Sequence, residues 1–116
     1  MARVTSKFYS LLGLCQKAGK LVSGSMQCEK TIRNGKAQLV IIAGDASEET
    51  LSKFTRLSCN YEVPIITAGS KELLGHSLGK VSRTIIVITD KGFKDMLLVN
   101  TEQNKSDAGV VTNGEN

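Results

Sequence analysis

The chain reads as one α/β domain with helices on both faces of a single sheet. Three observations lead there. Segments with helical spacing alternate along the chain with short apolar runs. Two of those runs, Gln38–Ala43 (QLVIIA) and Thr84–Thr89 (TIIVIT), are nearly continuous β-branched stretches, the pattern of strands covered on both sides. A length of 116 residues with 41% apolar and 22% charged residues suits one domain with a real core. Aromatic residues make up only 4% and Trp is absent, so that core is aliphatic.

The elements follow in order. Val4, Phe8, Leu11, Leu12 and Cys15 recur at helical spacing, and Gly19 closes that helix. Lys20–Ser23 is a short extended piece, with Ser23 placed to cap the next helix, from about Gly24 to Asn34, which Gly35 ends. The strand Gln38–Ala43 comes next, then a helix opened by Asp45, Glu48 and Glu49 with Leu51, Phe54 and Leu57 facing inward. Glu62–Thr67 reads as a short strand whose Pro64 restricts it to a strand start or an edge. Ser70 caps a short helix, Lys71–Leu78, stopped by Gly79. After Thr84–Thr89, Asp90 opens a last helix with Phe93, Met96 and Leu97 inward. Residues 1–99 form the domain, and 100–116 read as a disordered polar tail.

Motifs for catalysis are missing. Gly13 to Lys20 has a phosphate loop's flavour, but its glycine spacing fails and Leu21 stands where a hydroxyl should hold magnesium. No dinucleotide fingerprint follows a strand. His76, the single histidine, has no nucleophile at useful spacing. Cys15, Cys28 and Cys59 include no C-x-x-C pair, which argues against zinc and for small buried thiols on apolar helix faces. The expectation is a non-catalytic protein with no cofactor and no metal. Met1–Lys7 is polar and no apolar run reaches membrane-span length, so a cytoplasmic protein without membrane contact is expected.

Charge points to a polyanion. The net charge is +4, and residues 1–99 alone carry 14 Lys+Arg against 8 Asp+Glu. Between Lys17 and Lys36 stand five basic residues and one acid, Glu29. On the second helix, Met26, Gln27, Lys30, Arg33 and Asn34 share one face at about 100° per residue. Cys28, Thr31 and Ile32 share the other. The helix thus has an apolar back and a polar, basic front. Gly24 lies at its start, where backbone N–H groups are free to meet a phosphate.

With this order of elements in place, the chain resembles the ribosomal protein L7Ae/L30e family, and within it the small bacterial L7Ae-like proteins. The resemblance spans roughly residues 5–99. It is carried by Leu11–Leu14, Lys20–Gly24, Lys30–Ala37, Asp45–Ser47, Cys59–Pro64, Ser70–Gly75 and Thr89–Phe93, in that order. It implies a three-layer α/β/α sandwich with a mixed central sheet of about four strands. It also implies a non-enzymatic, ribosomal-protein-like or ribosome-associated monomer that binds structured RNA, often at a kink-turn, with ribosomal RNA as one such partner. The family's RNA face joins the start of the second helix to the loop before the fourth. Here that implies Lys20, Gly24, Ser25, Met26, Gln27, Lys30, Arg33 and Lys36, with Ala68, Gly69, Ser70 and Lys71.

Studied members of the family carry Gly-x-Asn-Glu-x-x-Lys on that helix. This chain keeps Gly24 and Lys30 but has Met26 and Gln27 in place of the Asn and Glu. A thioether forms almost no hydrogen bond, whereas Gln27 keeps an acceptor and gains two donors. One lost bidentate base contact is worth about 1–3 kcal/mol, which relaxes specificity while phosphate contacts keep affinity. The competing reading is a protein-interaction module on the same fold with weak RNA affinity, for which Met26 on a polar face is the best support.

Overall fold

The computed structural model describes residues 2–101. Nine elements alternate: α1 (Ser6–Lys17), β1 (Leu21–Ser23), α2 (Ser25–Arg33), β2 (Leu39–Ile42), α3 (Glu48–Asn60), β3 (Ile65–Thr67), α4 (Lys71–Ser77), β4 (Ile85–Ile88) and α5 (Lys91–Val99). The strands form one sheet in the order β1-β4-β2-β3. It is mixed: β4 runs antiparallel to both β1 and β2, and β2 runs parallel to β3.

The side-chain period of two divides the two central strands between two cores. Leu39 and Ile41 of β2, with Ile86 and Ile88 of β4, meet Phe8, Leu12 and Cys15 of α1, Leu74 of α4 and Leu97 of α5. Val40 and Ile42, with Ile85 and Val87, meet Cys28 and Ile32 of α2 and Phe54 and Leu57 of α3. The result is the expected three-layer α/β/α sandwich, with α1, α4 and α5 on one side and α2 and α3 on the other. All eight residues of β2 and β4 are buried, which is why both runs are apolar without alternation.

Several details differ from the sequence-based expectation. The first helix starts at Ser6, because the Thr5 hydroxyl accepts from Phe8 N–H as its cap; Val4 pairs with Thr101 instead. Asn100 caps α5 through its own N–H and Thr101 N–H donates to Leu98 O, so the first two residues of the expected tail close the last helix; the rest of it, 102–116, lies outside the described residues. Leu51 and Met96 are exposed: at about 100° per residue Leu51 falls about 60° from the buried Phe54 and Met96 about 100° from the buried Leu97, at the rim of each sheet-facing stripe. Cys59 is exposed as well. Cys15 and Cys28 are buried, and desolvation pushes both thiols up to about 12, inert at neutral pH.

Gly75 is the tightest point of the fold. A Cβ there would stand 2.4 Å from Ser82 Cα and 2.6 Å from Ser82 N, so the α4–β4 loop lies directly on the helix backbone. Backbone atoms cannot yield as a flexible side chain does. Gly75→Ala is expected to cost about 1–3 kcal/mol through overpacking. A denaturant midpoint unchanged from the unsubstituted protein would contradict that packing.

Candidate nucleic-acid interface

The sheet topology gathers four connections at one end of the strands. Ser23 of β1 is opposite Ile86, Ile42 of β2 is opposite both Ile85 and Thr67, and β4 begins where β1 and β2 finish. The turn into α2, the α4–β4 loop and the loops leaving β2 and β3 therefore lie along one end of the sheet. Hydrogen bonds tie them together. Gly24 N–H donates to Ile85 O at 3.1 Å, and Arg83 Nε donates to Ser23 Oγ at 2.9 Å. Lys71 N–H donates to Asp45 Oδ1 at 2.8 Å, while Arg83 N–H donates to Lys71 O at 2.9 Å.

The start of α2 is unlike the other helix starts. Thr5, Ser47, Ser70 and Asp90 each cap their helix with a side-chain oxygen, whereas Gly24 leaves α2 without one. Its backbone, at φ 93° and ψ 147°, occupies a region that side chains avoid. The first N–H groups of α2 and the positive end of its dipole thus face outward with no cap in front of them. Ser25, Met26 and Gln27 are exposed there, Met26 at 84%, and Lys30 is exposed one turn further on.

The structure places the sequence-derived residues unevenly. Gly24, Ser25, Met26, Gln27, Ser70 and Lys71 lie at this end, with Lys30 one turn along α2. Ser70 spends its hydroxyl on Leu73 N–H at 3.1 Å, capping α4. Ala68 is wholly buried and its N–H donates to Ile42 O, so its side chain belongs to the core, not to a surface. Gly69 packs against the Tyr9 hydroxyl. Lys20 lies at the opposite end of the sheet, where its carbonyl accepts from Thr89 N–H. Lys36 follows the C-terminal end of α2, near Gln38, whose N–H reaches Ile88 O.

Arg33 turns sideways. Its Nε and Nη2 both donate to Glu29 Oε2 at 3.0 Å, and Lys53 of α3 donates to Glu29 Oε1 at 2.9 Å. Lys53 and Arg33 hold the Glu29 carboxyl below the usual carboxylate range; Glu29, with the Tyr61 hydroxyl, holds Arg33 above its ordinary value. Lys30 makes no ion pair among the described residues.

Sequence reasoning missed the α4–β4 loop. Lys80 and Val81 are exposed there, Val81 at 91%, and Arg83 is the bridge to β1. Ser23 was expected to cap α2; its hydroxyl instead accepts from Arg83. Asp45 was expected to serve its own helix start; Ser47 caps α3, and Asp45 anchors the start of α4. The available signal was two cations three apart, Lys80 and Arg83, between a helix-ending glycine and a buried strand.

The chain belongs to the ribosomal protein L7Ae/L30e/S12e/Gadd45 family, whose model matches residues 6–98. It is 40% identical over 92 residues to the RNA-binding protein YlxQ of Bacillus subtilis (strain 168), covering 79% of this chain and 92% of that one. It is 36% identical over 89 residues to the large ribosomal subunit protein eL30 of Yarrowia lipolytica (strain CLIB 122 / E 150), covering 74% and 81%. A solved structure of a protein of unknown function from Bacillus halodurans C superposes with a TM-score of 0.78 at 35% identity, over 82% of this chain and 96% of that one. Named relatives of this kind are RNA-binding and ribosomal proteins, not enzymes, in agreement with the reading of a non-catalytic chain. No helix among the described residues is long and apolar enough to cross a membrane.

Gly24→Ala is expected to lower stability by about 1–3 kcal/mol, the range for a side chain forced into such a backbone region. A thermal melt reads it; an unchanged midpoint would show that the α2 start is not held in this conformation.

Proposed function

We propose that this chain is a non-catalytic binder of structured RNA, with the N-terminal turn of α2 and the α4–β4 loop as its contact face. One observation carries the reading: an uncapped helix start joined by the Arg83–Ser23 bond to a basic loop, in a chain 40% identical to an RNA-binding protein. The open N–H groups of α2 suit phosphate oxygens. Gln27 offers donors and an acceptor to a base edge, and Lys30 offers a cation to a guanine edge or a phosphate. Met26 and Val81, both exposed, provide apolar contact for a splayed base or a ribose. With so few aromatic side chains, recognition rests on RNA shape and phosphate geometry more than on base stacking.

A kink-turn fits this face, because a sharp bend crowds phosphates against one short stretch of positive potential. Met26 in place of the family's asparagine removes one readout bond, so discrimination between bent RNAs is weaker here than where that bond is kept. We extend the proposal to a cytoplasmic, ribosome-associated monomer with ribosomal RNA among its partners, on the likeness to eL30. The exposed Met26 and Val81 also favour a second reading, a protein partner docked on the same end of the sheet with RNA affinity reduced.

A gel shift with a kink-turn hairpin, beside a control whose G·A pairs are replaced by Watson–Crick pairs, separates these readings. Preferential, salt-dependent binding of the kinked RNA is expected. Lys30→Ala and Arg83→Ala are each expected to weaken it several-fold, with Lys30→Ala lowering the salt slope by about 0.9 if its partner is a duplex phosphate. Equal binding of both RNAs leaves a general phosphate binder. No binding of either moves the function to a protein partner.

A further inference from the structure

An open groove of about 450 Å³ runs between α3 and the C-terminal half of α2. Its walls are Arg33, Lys53, Arg56, Glu49 and Asn60, and Leu57 forms a buried floor. Glu29 holds Arg33 from α2 and Lys53 from α3 on one carboxylate, so the two cations stand at fixed positions. Both remain open to solvent, with side chains 54% and 50% exposed. Arg56 is exposed and makes no ion pair among the described residues.

The charge balance on this side is cationic. On α2, α3 and the residues just past them, Lys30, Arg33, Lys36, Lys53 and Arg56 outnumber Glu29, Glu48, Glu49 and Glu62 by one, and at the groove itself Arg33, Lys53 and Arg56 outnumber Glu29 and Glu49 by one. Cations held in place by a shared carboxylate lose less side-chain entropy on meeting an anion than free ones do. Apart from Leu57, the side chains that line it are charged or polar.

We infer that this groove is a second contact for the same RNA, taking the sugar–phosphate backbone of a strand that leaves the N-terminal turn of α2. The inference rests on the RNA reading above. The geometry supports continuity between the two sites. The nine residues of α2 span about 14 Å at 1.5 Å each, the axial length of roughly four to five phosphates of one strand. Lys30 lies between the helix start and the groove along that path. The groove reads no base; it adds affinity and fixes the direction in which one arm of the RNA departs.

Two hairpins test this: a kink-turn with long arms, and the same kink-turn with its arms trimmed close to the bend. Arg56→Ala is the first variant, because an exposed, unpaired side chain can be removed without loosening α2 from α3. It is expected to weaken the long-armed RNA several-fold, lower its salt slope by about 0.7–0.9 and leave the trimmed RNA unchanged. Lys53→Ala/Arg56→Ala is expected to roughly double that loss of slope, with a thermal melt confirming that the fold is kept. Lys91→Ala, the same loss of charge on α5 across the sheet, is expected to change neither probe. Arg56→Ala binding the long-armed RNA as the unsubstituted protein does overturns the groove contact and leaves the RNA reading standing. Equal losses on both probes overturn it too, since a backbone contact beyond the bend cannot weaken an RNA that stops short of it. If the unsubstituted protein binds neither probe, the RNA reading falls and the groove contact with it.

Discussion

The placement of β4 between β1 and β2 is the constraint on which the rest of the structure depends. Because β4 runs antiparallel to both, its first residue stands where its neighbours end. Gly24 N–H then reaches Ile85 O, and the α4–β4 loop lies beside the start of α2. A parallel β4 would carry that loop to the other end of the sheet and leave α2 alone. Ile85, Ile86, Val87 and Ile88 are all buried, two toward each core, so a slip of one residue would exchange the two sets of neighbours. The register that packs both cores is therefore the register that assembles the candidate interface.

The same register separates cations that look neighbourly along the chain. Five basic residues crowd between Lys17 and Lys36, yet Lys20 and the helix start that follows it sit at opposite ends of β1. Arg33 is drawn toward α3 by Glu29, and only Lys30 keeps its charge uncommitted along the front of α2 among the described residues. Arg83, distant in sequence, makes up for this by bonding to Ser23 and bringing Lys80 and Val81 to the site. Glu29 acts in both directions. It takes Arg33 away from the helix front and fixes it, with Lys53, at the neighbouring groove.

Much of this was legible in the sequence. The uninterrupted apolar runs of β2 and β4 announced a sheet covered on both sides, and helical spacing located α1 and α2 to within two residues. The glycine start of α2 with its exposed Met26, Gln27 and Lys30 was readable from a 100° rotation per residue. What was not legible depends on contacts between segments far apart in the chain. Ser23 reads locally as a helix cap, and only strand pairing shows that Arg83 claims its hydroxyl. Asp45 reads as an acid in a helix's first turn, but the adjacent β3–α4 loop presents Lys71 N–H to it. Ala68 reads as a loop residue, although the parallel pairing of β3 with β2 draws it into the core. Leu51 and Met96 show the limit of periodicity itself: apolar residues at the rim of a helical stripe are placed by how wide the covering layer is.

The most direct measurement is an amide NMR titration of the protein with the kink-turn hairpin. The account predicts that the largest shifts fall together on Ser25, Met26 and Gln27 and on Lys80 through Arg83, which are distant in sequence and brought together by the β1–β4 pairing and the Arg83–Ser23 bond. Shifts concentrated at Lys20 and Lys36, at the other end of the sheet, with α2's first turn unmoved, would contradict it.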